Sequence, residues 1–234
     1  MHSKEKKMRL NTEKNPSAGF TLIELMIAMA IASIVSAAMY ATFQAQVRGQ
    51  VTQDVSLSMT QNLRAAMEIM ASDIRMAGCD PEGAGASITT ATNTNLVLTM
   101  DIGGGAQGQP DGNIGPGETV RYSINGNGNL GRAVDAGNLE PLHSVDLACE
   151  VLNFVYLDLD GNPFVPATAE DREDINAIQV SVVVRSADVA NPGFLTAVTN
   201  NTSYVNLQGV EILAPQNDTF RRFQLSQTID CRNL

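Results

Sequence analysis

The chain has no tryptophan, only 5% aromatic residues and only three cysteines in 234 residues. Its four lysines all lie within the first fourteen residues, so residues 20–234 carry ten arginines against 23 acidic side chains, a net charge of −13. Because an acidic body repels phosphate backbones, no nucleic-acid partner is expected. His143 is the only histidine after residue 2, which leaves few groups for acid–base catalysis near neutral pH. The composition therefore argues against most classes of enzyme.

The N-terminal region combines a basic segment with an apolar one. Residues 1–19 carry a net charge of +3, and residues 20–43 form an apolar run of 24 residues. As a helix this run would be about 36 Å long, enough to cross a bilayer with some tilt. Positive charge before the run and acidic residues after it place the N-terminus in the cytoplasm and the body outside. Glu24 is the single charged residue in the run, and a carboxylate at that depth requires a partner or a function.

Three interpretations of this region are open. The length of the run and the presence of Glu24 disfavour a secretory signal peptide cut near Ala38, and a plain signal anchor gives Glu24 no role. The segment Gly19-Phe20-Thr21-Leu22-Ile23-Glu24 resembles the processing site of type IV prepilins and type II secretion pseudopilins. The resemblance implies that prepilin peptidase cleaves between Gly19 and Phe20 and methylates the new amine of Phe20. It also implies that Glu24 pairs with the Phe20 amine of a neighbouring subunit during assembly.

Apolar residues continue at helical spacing beyond the apolar run. Steps of three and four residues place them on one face of a continuing helix whose other faces are polar. We expect this face to pack on a sheet, and we expect the helix to span residues 20–77 and to end before Gly78 and Pro81. Residues 70–78 are similar to the DIRxAG stretch that closes the first helix of PilW-type minor pilins and of the J pseudopilin. The apolar stripe consists of Val47, Val51, Val55, Met59, Leu63, Met67, Met70 and Ile74.

Glycine-rich turns and short alternating segments dominate the chain after residue 77. Residues 78–137 contain 14 of the 19 glycines, in an arrangement typical of hairpin connections rather than of phosphate-binding loops. The predicted fold class is α+β and pilin-like, with the long N-terminal helix packed on an antiparallel β-sheet. The resemblance to PilW-type proteins extends over residues 150–186 and 220–234. Apolar patterns predict strands within residues 96–100, 120–124, 151–159, 176–185 and 220–229.

The three cysteines, Cys79, Cys149 and Cys231, lie in the part of the chain that is placed outside the cytoplasm. Disulfides persist there, and three cysteines allow three single pairings. We favour a disulfide between Cys149 and Cys231, because each lies beside a predicted strand and the bond would tie the last strand into the sheet. Cys79 remains a possible partner for either.

Two further groups are weak candidates for binding or catalysis. Asp158, Asp160 and Asn162 resemble the first half of a calcium loop, but the bidentate glutamate of such a loop is missing. An Asp-Gly β-turn explains the same residues without a metal, so calcium is the only cofactor considered and no catalytic residue is assigned. His143 is expected to lie at the surface or in a turn, because neighbouring residues alone do not form a catalytic triad.

The sequence therefore predicts a minor pilin or pseudopilin with four parts. Residues 1–19 are the leader, 20–43 the transmembrane and assembly helix, 44–77 its amphipathic half and 78–234 an extracytoplasmic β-rich domain. The expected location is the bacterial inner membrane with the body in the periplasm, and then the filament. Expected partners are other minor and major pilins or pseudopilins, prepilin peptidase, the inner-membrane assembly platform and membrane lipid. A filament-borne adhesin, or a secreted or anchored protein with an ordinary signal sequence, remains the alternative.

Overall fold

The computed structural model describes residues 19–103, 108–144, 147–186 and 199–234. Of the predicted leader, only Gly19 lies within the described residues. The chain divides between Val47 and Arg48 into two compact units. The elements in chain order are α1 (Leu22–Met76), β1 (Ile88–Ala91), β2 (Leu96–Thr99), β3 (Thr119–Ile124), β4 (Leu130–Val134), β5 (Glu140–Pro141), β6 (Leu147–Leu157), β7 (Pro163–Phe164), α2 (Ala169–Glu173), β8 (Ala177–Ser186), β9 (Tyr204–Val205), β10 (Glu211–Leu213) and β11 (Arg222–Asp230).

Helix α1 is 55 residues long and ends one residue before the predicted limit. Its last turn is closed by Gly78, whose φ of +73° lies in the left-handed region that glycine adopts without strain. A Cβ at Gly78 would lie only 2.6 Å from the carbonyl oxygen of Asn233. The side-chain amide of Asn233 in turn donates to the carbonyl of Arg75 at 2.9 Å. Glycine at position 78 therefore both ends the helix and admits the C-terminal residues beside it.

The strands form two main antiparallel sheets rather than the single sheet expected from the sequence. The glycine-rich middle of the chain builds a five-stranded sheet in the order β1-β2-β3-β4-β5, in which each strand pairs with the next along the chain. The C-terminal half builds a four-stranded sheet in the order β11-β8-β6-β7, and β9 and β10 form a separate hairpin. The α+β class is confirmed. Strands β1 to β5 each pair with the next strand along the chain, whereas β11 pairs with β8 and β8 with β6, so each half of the body closes its own sheet.

One hydrophobic core joins the second half of α1 to both sheets. The predicted stripe is buried from Met59 onward, whereas Val51 and Val55 are half-buried. The stripe packs with buried residues of β2 and β3 in one sheet and of β6, β8 and β11 in the other. Each predicted strand segment overlaps an observed strand, because alternation with one buried face is a strong signal. The buried residues of the stripe are Met59, Leu63, Met67, Met70 and Ile74.

Polar contacts fix the second half of α1 against the five-stranded sheet and against the segment that precedes β6. The carboxylate of Asp73 accepts hydrogen bonds from the Tyr122 hydroxyl at 2.5 Å and from Nε of Arg132 at 2.7 Å. Tyr122 is fully buried, and burial together with the hydrogen bond to Asp73 raises the pKa of its hydroxyl. Asn62 accepts from the backbone N–H of Ser144 at 3.1 Å. Apolar packing is not directional, whereas hydrogen bonds are. These polar contacts therefore specify the position of the helix on the body.

Carboxylates organise the glycine-rich loops by accepting backbone hydrogen bonds. Glu118 accepts from the N–H groups of Ile102, Gly103 and Gly115 at 2.6–2.8 Å. Asp80 accepts from three consecutive residues, 84–86. These hydrogen bonds hold the pKa of both carboxyls below their ordinary values. The loops therefore have defined conformations that depend on ionised carboxylates.

Candidate processing and assembly segment

The peptide bond predicted to be cleaved lies immediately before α1. Gly19 and Phe20 are both exposed, Phe20 at 92%. A Cβ at Gly19 would meet nothing within 4 Å. None of the described residues covers this bond. The packing of the described residues imposes no requirement for glycine at position 19, so such a requirement would come from an enzyme that acts on the bond.

Thr21 and Glu24 form a capping box at the start of α1. Thr21 is the N-cap, since its carbonyl accepts the first helical hydrogen bond from Leu25 at 3.2 Å. Oε2 of Glu24 accepts from the N–H and the hydroxyl of Thr21 at 3.0 and 2.9 Å, and the N–H of Glu24 donates to Oγ1 of Thr21 at 3.3 Å. The spacing Thr-x-x-Glu before an apolar run is the sequence signature of this motif. This role of Glu24 was not predicted from the sequence, where the carboxylate was assigned only to pairing with another subunit.

The capping box leaves part of Glu24 available. Both contacts from Thr21 reach Oε2, and no hydrogen bond reaches Oε1 from the described residues. The carboxylate can therefore cap its own helix and still accept a second donor, such as an amine. The pairing of Glu24 with the Phe20 amine of a neighbour involves a second chain and stays a prediction.

The first half of α1 exposes an almost continuous apolar surface. From Leu22 to Phe43 every large apolar side chain is about half or more exposed. Within the described residues, α1 is the one helix that is long and apolar enough to cross a membrane, judged by length and composition, with a mean hydropathy of 2.2 in its most apolar window. Water is an unfavourable solvent for so much apolar surface. This surface is suited to contact lipid or other apolar helices.

The motif and the fold both have counterparts among known proteins. A family model of the prokaryotic N-terminal methylation motif matches residues 14–40, a range that includes Gly19, Phe20 and Glu24. Among solved structures, a type IV-like pilin from Thermus thermophilus aligns with a TM-score of 0.50 and 16% sequence identity, over 75% of this chain and 97% of that chain. The fold is that of a type IV-like pilin. No curated protein matches the sequence.

The predicted disulfide between Cys149 and Cys231 is wrong for this pilin-like fold. Cys149 lies on β6 opposite Val184 of β8, whereas the N–H of Cys231 donates to the carbonyl of Asn176 just before β8. Eight residues of an extended strand separate Val184 from Asn176, about 26 Å, and a disulfide requires Cα atoms within about 7 Å. All three cysteines are free. Burial raises the pKa of the Cys149 and Cys231 thiols to about 12.

The acidic turn after β6 is held by its own hydrogen bonds. Oδ1 of Asp158 accepts from the N–H groups of Asp160 and Asn162 at 2.9 and 2.8 Å. The N–H of Asp158 also donates to the carbonyl of Asn162 at 3.0 Å. Within the ranges that the structure describes, no group of three or more His, Cys, Asp or Glu side chains converges to hold a metal ion. The geometry of this turn therefore gives no support to calcium binding.

His143 was expected at the surface or in a turn; it lies in a bend between β5 and β6 and is buried. Its Nε2 accepts from the N–H of Leu130 at 3.1 Å, and its Nδ1 lies 2.9 Å from the carbonyl oxygen of Ser144. A neutral imidazole with its proton on Nδ1 satisfies both contacts. His143 therefore connects the start of β4 to the segment that precedes β6. Its ring nitrogens are both used in the fold and are not available as a catalytic base.

Proposed function

We propose that the chain is a minor pilin or pseudopilin subunit that is incorporated into, or primes the assembly of, a type IV pilus or a type II secretion pseudopilus. The observation that supports this most directly is the order of features along α1. An exposed Gly19–Phe20 bond is followed by an exposed apolar helix, and the same helix continues into the core of a folded body. This order fits a subunit that is stored in a membrane, processed at its N-terminus and then packed by its apolar helix.

The chemistry of assembly follows from two charges at the start of the helix. Cleavage after Gly19 creates a positive amine on Phe20, four residues before the carboxylate of Glu24. In an apolar environment neither charge is stable without a partner. Pairing the amine of one subunit with Oε1 of Glu24 in the next would neutralise both charges and fix the axial position of the two helices. Thr21 would hold the carboxylate in place during this contact.

The assignment as a minor subunit rests on the resemblance of residues 70–78, 150–186 and 220–234 to PilW-type proteins and to the J pseudopilin. Such a subunit would work with other minor and major subunits, the inner-membrane assembly platform and prepilin peptidase. Its body would lie in the periplasm, which agrees with the charge difference of +3 to −13 across the apolar run. The role is structural, since filament subunits act by packing and not by catalysis.

Processing tests the first part of the proposal. With prepilin peptidase present, the wild-type chain should lose about 2 kilodaltons and gain a methyl group on Phe20, as intact-mass measurement would show. Gly19→Leu should remain at the precursor mass, because the enzyme requires a small residue at the cleavage site. Gly49→Leu is the matched control, since Gly49 lies in α1 with open space around its Cβ position, and it should be processed. Normal maturation of Gly19→Leu would contradict the proposal.

Incorporation tests the role of Glu24. Glu24→Ala should be inserted, cleaved and folded, but it should fail to co-purify with sheared filaments or with the other minor subunits. Glu24→Gln separates charge from capping, because its side-chain carbonyl can still accept the hydrogen bonds from Thr21 while the negative charge is lost. Failure of both variants supports the charge pair. Normal incorporation of Glu24→Gln would show that only the cap matters and would refute the pairing with Phe20.

A further inference from the structure

The body contains a cleft with a volume of about 810 Å³. Three segments line it: residues 89–93 along β1, residues 153–156 in β6, and residues 163–167, which lead from β7 towards α2. Arg172 of α2 completes the lining, and none of these lining residues belongs to α1. Sites for drug-sized ligands have volumes of roughly 300–1,000 Å³, so the cleft is large enough to bind a ligand.

Arg172 gives the cleft a charge of opposite sign to that of the body. Residues 20–234 carry a net charge of −13, yet Arg172 is the one charged residue among the described lining residues. The acidic neighbours of Arg172 on α2 do not cancel this charge. The carboxylate of Asp171 accepts from two backbone N–H groups at 2.9 and 2.7 Å. Glu170 and Glu173 are exposed, where water screens their charges. The cleft therefore favours a negatively charged group.

The guanidinium of Arg172 is held in place by one of its three nitrogens. Its Nε donates to the carbonyl of Ile88 at 3.0 Å, and no hydrogen bond or ion pair reaches Nη1 or Nη2 from the residues that the structure describes. Asn153 adds a second source of donors, because its Oδ1 accepts from Asn206 at 3.1 Å and its Nδ2 is not used in that contact. Guanidinium and amide N–H groups are donors that suit a carboxylate, which only accepts.

The segment from Pro163 to Ala167 gives the cleft an apolar wall. Its five residues, Pro-Phe-Val-Pro-Ala, have no side-chain donor or acceptor. Phe164 packs against the hydrophobic core, whereas Val165 is 84% exposed. Covering an exposed valine with another apolar group is favourable. A ligand that fits this cleft therefore combines a carboxylate with an apolar part.

Two kinds of molecule have this combination: an acyl chain, and a peptide with an acidic side chain between apolar ones. The wall formed by β1 carries the hydroxyl of Thr90 and the side-chain amide of Asn93. An acyl chain would cover these polar groups without offering them hydrogen bonds, which is unfavourable. A peptide has an N–H and a C=O at nearly every residue and can bond to them. The lining therefore favours a peptide.

We propose that the cleft binds an extended peptide segment of another protein, in which one acidic side chain is flanked by apolar ones. The acidic side chain pairs with the Nη groups of Arg172, and an apolar neighbour covers Val165. The peptide backbone bonds to the polar groups along β1. This binding uses only residues of the body, so it does not depend on N-terminal processing or on Glu24.

A pair of synthetic peptides tests the class of ligand. The full-length chain would be placed in lipid nanodiscs, so that no detergent competes for the cleft, and titrated into the labelled peptide Ser-Val-Val-Asp-Val-Val-Ser. The label is at the N-terminus and the C-terminus is amidated, so the peptide has one carboxylate. Fluorescence anisotropy should show saturable binding. The same peptide with Asn in place of Asp should bind at least about tenfold more weakly, because the charge-assisted pair is lost.

Octanoate tests the alternative ligand, since it offers a carboxylate and an acyl chain without a peptide backbone. Unlabelled acidic peptide should displace the labelled one at a concentration at least about tenfold lower than octanoate requires, because only the peptide bonds to the polar groups along β1. Stronger displacement by octanoate than by the peptide would assign the cleft to an acyl chain and would overturn the proposal.

Two matched pairs of variants test the site itself. Arg172→Gln should weaken binding of the acidic peptide by about tenfold, whereas Arg232→Gln removes an exposed arginine outside the cleft and should not. Val165→Asp should weaken binding by loss of the apolar contact and by charge repulsion. Leu159→Asp should not, because Leu159 is equally exposed at 84% but does not line the cleft.

Circular dichroism should be unchanged in all four variants. The second pair lies at the surface, so it tests the cleft even if loss of the contact between Arg172 and Ile88 disturbs β1. Absence of saturable binding, equal affinity for the Asp and Asn peptides, or equal affinities within the pair at positions 165 and 159 would each overturn the proposal.

Discussion

The two halves of α1 share one backbone conformation and have opposite surroundings. In the first half, apolar residues cover all sides of the helix and stay exposed, as Ile34 does at 70%. In the second half, apolar residues are confined to one stripe, and Ile74 in that stripe is fully buried. The stripe contributes to the core of the body, whereas the first half contributes nothing to it. Stability of the subunit and interaction with an apolar environment are therefore assigned to different parts of one helix.

The difference shows that hydrophobicity alone does not identify a core residue. The arrangement of apolar residues around the helix axis identifies it. A helix with one apolar stripe can bury that stripe against one sheet, whereas a helix that is apolar on all sides needs lipid or a bundle of other apolar helices around it.

Replacing one isoleucine in each half should give contrasting results. Ile74→Ala removes fully buried atoms and leaves a cavity, which should lower the free energy of unfolding by about 2–5 kcal/mol. Ile34→Ala should leave that free energy unchanged within about 0.5 kcal/mol. Urea denaturation of the full-length chain in mild detergent, followed by tyrosine fluorescence, measures both. A similar loss for the two variants would show that the first half also belongs to the folding unit.

The polar contacts of the second half provide the next test. Asp73→Ala leaves the buried Tyr122 hydroxyl and the Arg132 guanidinium without their shared acceptor. Because Asp73 and Arg132 are partly exposed, at 17% and 29% of their side chains, the expected loss is moderate, about 1–3 kcal/mol of unfolding free energy. Asp54→Ala, an exposed aspartate of the same helix, is the control and should be nearly neutral. If Asp73→Ala left the free energy of unfolding unchanged, apolar packing alone would be sufficient to position the helix on the sheet.

The sequence was sufficient for the features that repeat with a fixed period. The stripe from Met59 to Ile74 has one buried face, and Gly78 marks the end of α1. The alternation around Val180 located β8, although Ser181 and Val183 on its other face are buried as well. The α+β class follows from these elements. The N-terminal motif was also readable, since its residues are contiguous.

Features that depend on contacts between distant residues were not readable. Asp73 is separated along the sequence from Tyr122 by 49 residues and from Arg132 by 59 residues. No local pattern predicts a contact between residues so far apart. The Cys149–Cys231 pairing failed for the same reason, because proximity to a strand does not tell at which end of the sheet a cysteine lies. The division into two sheets and the place of β11 at the end of its sheet depend on strand order. The capping box of Thr21 and Glu24, by contrast, was visible as a local signal.

That capping box gives a smaller effect, confined to the first half. Thr21→Ala removes the N-cap and should destabilise the first turns of α1 by about 0.5–2 kcal/mol, without changing the stability of the body. Thr42→Ala is the control, because Thr42 only donates back to the carbonyl of Ala38 within the helix. Amide hydrogen exchange of residues 22–26 in detergent should accelerate in Thr21→Ala alone. Unchanged exchange there would mean that the hydrogen bonds from Thr21 do not stabilise the start of the helix.

Lowering the pH should destabilise the loops that Glu118 holds and should leave the buried stripe of α1 unchanged. The pKa of Glu118 is lowered in the fold by the N–H groups of Gly115, Ile102 and Gly103. A depressed folded pKa means that the stabilisation is fully present above the unfolded value of about 4.3. It is then lost as the pH falls through the folded value. After correction for the intrinsic pH dependence of hydrogen exchange, these three amides should therefore lose protection from exchange below about pH 4. The amides around Ile74 should stay protected.

The variant Glu118→Gln tests whether this carboxylate is responsible. Its loop amides should be less protected at pH 6, and their protection should no longer depend on pH. Retention of that dependence in the variant would assign it to another carboxylate.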